Sequence, residues 1–541
     1  MIESGHFKYG LSLPCARTLL SVVLILSSLV ASGQKVTRLE ILNAELTAYD
    51  IKIGKDARKL IGNVQLKHED VVMSCDSAYF YSGSGSVDAF SRVKVVQGDT
   101  LTLTGDFVHY NGETKIAQVR NNVKLENNDL TLDTDTLDYF RLDGVATYRG
   151  GGILQQGESR LTSERGRFLT GVEIFYFMDS VHITDPQYEI FTDSMKYDTK
   201  LEISHFDGPT EIFNDKRYIY CENGWYDTRQ DISFVTKNAF MEEGGRTISG
   251  DTLYYEAAAG FGRANSNVVI EDSAQNMTLK GNFGLYYSDD ESAMVTDSAL
   301  MIQVDGLDSL YVHADTLRTV PNLDSIGGSI LKAWYKVKIY RPDLQSMCDS
   351  LVYIDADSTF TFFGEPVLWS DENQLTASNI EVLMKNQQLE RMEMTGVAMV
   401  ISQKDSVKYD QMRGKTMTGY FRNNQLHRID VNGNGQTLYY ALDQGVIVGA
   451  NKTECTNLSI FLKDNQISRV NYMTQPGGTY YPLDLLPAEE ARLPDFKWAL
   501  KYRPLKWQDV FIWKNAEVEE EAVNAPQEVL STEHKALSTE Y

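Results

Sequence analysis

The sequence predicts an all-β, elongated, repetitive array, and three observations predict it. An acid or amide recurs about every 29 residues, from Asp76 and Asp106 through Asp135, Glu164, Asp193, Glu222, Asp251, Asn282, Asp315 and Asp349 to Asn379. Apolar and polar residues alternate with period two between these markers, as in Leu101-Thr102-Leu103-Thr104 and Leu130-Thr131-Leu132-Asp133, which places one face of each strand inward. Thr, Val, Tyr and Phe are plentiful, and proline is scarce at 12 of 541 residues, so long runs stay free to pair.

Two flanking positions fix the phase. Four residues after the markers come Phe80, Tyr110, Tyr139, Phe168, Tyr197, Tyr226, Tyr255, Tyr286, Thr319, Tyr353 and Leu383, nine of eleven aromatic in a chain that is 11% aromatic. One residue before the markers the side chain is always small: Cys75, Gly105, Thr134, Ser163, Thr192, Cys221, Gly250, Gly281, Ala314, Cys348 and Ser378. A second strand follows about 17 residues after the marker, through Val93, Val123, Val181, Ala239, Val268 and Ala299. Asn111-Gly112 reads as a two-residue hairpin turn, because both residues tolerate positive φ. A unit this short cannot bury its apolar face alone, so stacking must supply a continuous interior.

Taken along the chain, residues 1–33 read as a signal peptide, with Lys8 and Arg17 ahead of an apolar run from Leu19 to Val30 and Ala31-Ser32-Gly33 at the cleavage site. Residues 34–400 form the repeat array. Residues 401–482 continue it with longer units, in which Gln425-Leu426-His427-Arg428-Ile429 and Gln466-Ile467-Ser468-Arg469-Val470 echo each other. Residues 483–514, with Trp498, Trp507 and Trp513, read as a cap or a docking segment. Residues 515–541 read as a disordered acidic tail.

The net charge of −24 opposes nucleic acid as a partner, since that affinity rests on Lys and Arg neutralising phosphates. It also opposes electrostatic adhesion to anionic lipid heads, so a lipid ligand would be held by its apolar part. The histidines are scattered. CxxC, HExxH, GxSxG and P-loop motifs are missing, so neither catalysis, nor a cofactor, nor a metal is expected. Asp133, Asp135 and Asp138 lie close together, but no calcium loop surrounds them; the acids read as strand-start or turn residues bonding local N–H groups. Cys75, Cys221 and Cys348 share the small-residue phase several repeats apart, too far for a disulfide, and with Cys455 they are expected as free thiols.

The unit TGDFVHYNGETKIAQVRNNVKL, with its Gly-Asp-x-x-x-Tyr core and following valine strand, resembles the OstA-like family over most of residues 40–400. GNGQTLYY, NKTEC and DFKWALKYRP resemble the ending of large OstA-like proteins of Bacteroidota. The resemblance implies an open, twisted β-jellyroll, not a fully closed solenoid, whose hydrophobic groove holds lipopolysaccharide acyl chains. It implies a periplasmic location with the outer membrane as destination, transport components of both membranes as partners, and end-to-end self-association through edge strands. Carried over by position, Phe80, Tyr110, Tyr139, Phe168, Tyr197, Tyr226, Tyr255, Tyr286 and Tyr353 would face that groove. The chain departs from the small bridge proteins in its much longer repeat region. It departs from their outer-membrane partner in having too little alternating sequence after residue 400 for a barrel. Two other readings of the sequence stay open: a structural or adhesive surface β-solenoid with a dry core, and a polysaccharide-binding or polysaccharide-processing β-solenoid.

Overall fold

A computed structural model describes residues 38–514, except the short segments 50–52, 306–307, 324–327, 386–387 and 464–465. The expected signal peptide and acidic tail lie outside the described residues. The rest falls into two compact units. One ends at Gly157 and includes Arg167–Gly171; the other comprises Glu158–Gly166 and everything from Val172 onward.

Within each unit the chain is a meander of antiparallel strands, most of them paired with the next. In the first unit Val71–Tyr81, Ser86–Gln97, Leu101–Asn111 and Ile116–Asn127 follow this order. In the second, Glu189–Asp198 through Met277–Tyr287 repeat it. The expected all-β repetitive fold is thus present, with two strands per period of about 29 residues.

The long strands are bent at their middles. On alternate strands two successive residues take the left-handed conformation, including Ser91-Arg92, Asn121-Asn122, Asp179-Ser180, Lys237-Asn238, Ser266-Asn267 and Asp297-Ser298. Pairing is interrupted there and resumes beyond, as between Phe90 and Val93. Such a bulge bends a strand sharply. Repeated at one level, it divides each strand into two halves, and the halves stack into two leaves. Residues such as Val108 and Tyr110 lie on the inward face of leaf A; Leu103, Val123 and Leu125 lie on the inward face of leaf B. Farther on, one strand is broken outright at Gly364-Glu365-Pro366, leaving Thr359–Phe363 in leaf A and Val367–Ser370 in leaf B.

The acidic markers sit at these bends, not at strand starts, which corrects the expectation. Asp106 is mid-strand in Leu101–Asn111 and accepts a hydrogen bond from Asn122 Nδ2 at 2.7 Å. Asp76 holds Arg92 at 2.7 Å, Glu222 accepts from Asn238 at 2.7 Å, and Asp251 from Asn267 at 3.1 Å. The marker thus fastens the left-handed pair of the next strand. The small residue before it faces the crowded inner side of the bend. A Cβ on Gly105 would lie 2.5 Å from Val119 Cγ1, and one on Gly281 2.7 Å from the Thr296 carbonyl oxygen. The four described cysteines are buried and free, as expected.

Asn111-Gly112 opens a four-residue loop, not the two-residue turn expected. Asn111 Oδ1 accepts from the backbone N–H groups of Glu113 and Thr114, each at 3.0 Å, and Lys115 takes the positive φ. The side-chain acceptor makes an Asx turn, which competes with the two-residue geometry. Similar loops stack on one another: Arg141 N donates to the Lys115 oxygen, Thr170 N to Gly144, and Thr228 N to Glu202.

Beyond Gly477–Pro482 the chain leaves the array. Residues 483–513 form a strap of short 3-10 turns that runs back across leaf B, on the face opposite the interior. Leu493, 2% exposed, sits among Met399, Ile401, Tyr409, Leu438 and Tyr440, with Phe496 and Trp498 alongside. Trp507 stacks on Tyr311 at 5.4 Å, and Phe511 lies 4.7 Å from His313. The backbone of the strap is seated on buried glutamines. Gln411 donates to the Ala491 oxygen at 2.9 Å and accepts from Leu493 N at 2.7 Å; Gln374 does the same with Lys497 and Ala499 at 2.7 Å each.

Candidate lipid-facing interior

The phase aromatics all project from leaf A on its inward face, one residue before the strand ends. Phe80, Tyr110, Tyr139, Phe168, Tyr226, Tyr255 and Tyr286 are buried; Tyr197 and Tyr353 are partly so. The alternation explains this: Tyr110 shares the side of Val108, and Tyr197 the side of Met195. The fold therefore brings the aromatics of each unit into one inward row. Their rings pack against apolar neighbours, while the hydroxyls of Tyr110, Tyr139, Tyr226 and Tyr255 reach the margin where the loop end of leaf A meets the turn end of leaf B.

That margin forms a seam. In the first unit Tyr110 Oη lies 2.7 Å from His68 Nδ1, and Tyr139 Oη donates to Gln97 at 3.0 Å. Lys115 pairs with Glu69 at 2.8 Å, and Arg141, almost buried, pairs with Glu69 at 2.7 Å and also with Asp70. In the second unit Tyr226 Oη donates to Asp231 at 2.9 Å. The Arg217 guanidinium lies 4.1 Å over the Tyr255 ring, whose hydroxyl donates to Glu243 at 3.2 Å. Arg246 closes on Asp272 at 2.9 Å. Burial raises the tyrosine hydroxyls above their ordinary range, to about 12 for Tyr286, so they stay protonated donors.

The seam arginines escaped the sequence reading, although two carried a signal. Arg217 and Arg246 both stand five residues before a marker, at the inward first position of their strands, where Val71, Leu101 and Leu130 stand in the first unit. The phase was legible, but the change from apolar to cationic at that phase needs the seam to give it meaning.

Two stretches of interior differ in width. Between Leu66, Met73, Leu103, Tyr110 and Tyr139 the leaves leave a cavity of about 40 Å³. Between the leaves of the C-terminal strands, flanked by Ile429 and Ile460 on one side and Met412 and Thr437 on the other, the cavity is about 810 Å³. Small-molecule sites typically span roughly 300–1,000 Å³. Among the described residues no cluster of three metal-ligating side chains occurs, and no helix is long and apolar enough to cross a membrane.

This arrangement defines a class: an antiparallel meander, bent into two leaves around an apolar interior, with a charged seam. Residues 36–193 match the family model described as OstA-like protein. Among solved structures the chain is similar to LptH from Pseudomonas aeruginosa, the LptA-homologous periplasmic component of its lipopolysaccharide transport device. That similarity has 15% identity and a TM-score of 0.19, and covers 24% of this chain and 94% of that one. None of the curated proteins matches.

Proposed function

We propose that this protein is a non-enzymatic periplasmic carrier or bridge for lipopolysaccharide, working with transport components of the inner and outer membranes. The observation that carries the reading is the inward row of phase aromatics between two leaves joined by the strand bends, in a chain whose segment 36–193 matches the OstA-like family model. The driving force is desolvation: each buried CH₂ contributes about 0.8 kcal/mol, so acyl chains bind an acidic protein through their tails. The first unit, with a cavity of about 40 Å³, has its leaves together. Loading there requires the leaves to part at the seam of Arg141, Glu69 and Tyr110.

The test places a photocrosslinking residue at Tyr197 or Tyr255, which face inward, and at Tyr220 on the opposite face. In cells making lipopolysaccharide, lipid A adducts are expected at the inward positions alone. Adducts at Tyr220 only, or at none of the three, sink the proposal.

One observation favours a second reading, polysaccharide binding. On the outer face of leaf B, His182, Phe191, Phe213, Tyr218 and Phe240 form a ladder with ring centroids 4.3, 6.1, 4.8 and 5.6 Å apart. Glu189 and Glu211 bond His182 and Tyr218 at its flank. Native mass spectrometry of protein extracted from its own membranes separates the two: a retained lipid supports the carrier, a retained glycan the ladder.

A further inference from the structure

The cavity of about 810 Å³ near the end of the array has two unlike walls. Leaf A contributes Ile429, Ile460 and Val470. Leaf B contributes Ser402, Asp410, Thr437 and Tyr439. Most of the interior is apolar on both sides, as at Leu103 and Val108, so a polar wall here calls for a purpose. Thr437 sharpens the point. It is 5% exposed, it lines the cavity, and its Oγ1 has no hydrogen-bond partner among the described residues. A buried hydroxyl left unpaired is costly, and the large majority of such groups are satisfied.

The charges of this wall are already engaged with each other. Asp410 accepts from Tyr440 N at 2.9 Å and pairs with Lys404 at 3.2 Å. Asp371 and Glu372 add carboxylates at the rim, where Arg469 lies 4.2 Å over the Phe461 ring. The lining thus carries three carboxylates against two cations, and an anionic head gains nothing from it. What remains on offer is hydroxyl and amide hydrogen bonding beside an apolar wall.

We infer that this cavity binds an amphiphile with one acyl chain and a neutral head bearing hydroxyls or amides. The chain lies along Ile429, Ile460 and Val470, and the head meets Thr437 and Ser402. The inference goes beyond the carrier reading: it takes from that reading only that the interior receives acyl chains, and its own ligand, single-chained and uncharged, differs from lipopolysaccharide. The strap backs the polar wall from outside: Gln411, between Asp410 and Met412, points the other way and holds Leu493.

Calorimetric titration of the full chain with dodecyl maltoside below its micellar concentration tests this, with dodecyl phosphate and free maltose as companion probes. Saturable binding of dodecyl maltoside is expected, with dodecyl phosphate and maltose much weaker. Thr437→Val should weaken dodecyl maltoside about five- to tenfold, the equivalent of one hydrogen bond, while the melting temperature holds or rises. A structural hydroxyl would instead cost stability and leave affinity alone. Val470→Trp should block the chain; if it unfolds the protein, Thr437→Val still decides. Absence of saturable binding, equal affinity for the two heads, or unchanged affinity in Thr437→Val overturns the inference. Adducts at Tyr197 and Tyr255 without binding here would leave the carrier reading standing and this inference lost. Binding here without those adducts would leave the cavity a binding site and the carrier reading lost.

Discussion

At the bends, side-chain ties from the neighbouring strand hold the backbone in its left-handed conformation. Asn122 holds φ of 51° and ties Asp106. Asn122→Val should destabilise the protein by about 1–2 kcal/mol, because a β-branched residue is strained in the left-handed region; Asn122→Gly should cost less. Urea midpoints of the two variants measure the order. Gly105→Val places methyls where Val119 already stands, and overpacking of that kind costs about 1–3 kcal/mol. The cysteines give a second check. Burial pushes the thiol of Cys75 up to about 11 and that of Cys221 to about 12, so at pH 8 both stay protonated and shielded. Ellman's reagent should react with neither until denaturant is added; rapid labelling of the native protein would contradict the buried seats. The period, the small residue and the aromatic phase were legible in the sequence because repetition amplifies a weak motif. The bends were not, since their left-handed pairs are as different as Asn121-Asn122, Lys237-Asn238 and Tyr335-Lys336. Only Asn and Gly announce that conformation; the rest adopt it because the neighbouring strand holds them there.

Among the elements, the strap was the least legible. Gln374 and Gln411 look like ordinary outward polar residues of strands, and nothing local marks them as partners for a segment 80 to 125 residues away. The tryptophans signalled an interface but not its location. Gln411→Leu leaves the Leu493 N–H and the Ala491 oxygen unpaired, and each unmet group costs about 1–3 kcal/mol. Trypsin should then cut at Arg492 far faster than in the wild type. Lys338 adds a pH dependence. It donates to the Tyr502 oxygen at 2.9 Å, and burial pulls its ammonium down to about 8. Between about pH 8 and about pH 10.5, its unperturbed value, the released state binds a proton that the docked state does not. Strap docking should therefore strengthen as pH rises through that window, and Lys338→Met should flatten the trend in the same digestion assay. A slope of opposite sign would show that another group dominates.

For the whole molecule, the period of two strands per 29 residues is a structural rule with a direct consequence. Excising Leu101–Asp129 removes two strands and leaves every later bend, loop and inward face in phase. Excising Leu101–Lys115 removes one strand with its loop, and exchanges the loop end of each later strand for its turn end. The first deletion should give a soluble protein with an unchanged β-type circular dichroism spectrum and a single unfolding transition for that unit; the second should aggregate. The array was foreseen, but its organisation as two leaves rested on resemblance alone, because alternation is the same whether a sheet is flat, closed or folded along a line of bends. The wide C-terminal cavity also escaped notice, since Ser402 and Thr437 fall on the inward phase only once the bends have been placed.

The strap also has a mechanical meaning. Antiparallel strands are joined by hydrogen bonds perpendicular to their length, so tension applied across them peels one strand at a time. The strap lies along that direction, from Leu493 near Val446–Lys463 to Phe511 near Asp308–Pro321, and is gripped at several points between. Load on this stretch reaches the strap as shear distributed over those grips before the first strand can peel, as a splint takes load before the limb beneath it bends. In an optical trap with handles at Ser292 and Lys463, the wild type should yield first in one high-force step. Gln411→Leu combined with Trp507→Ala should replace that step with a run of small ones.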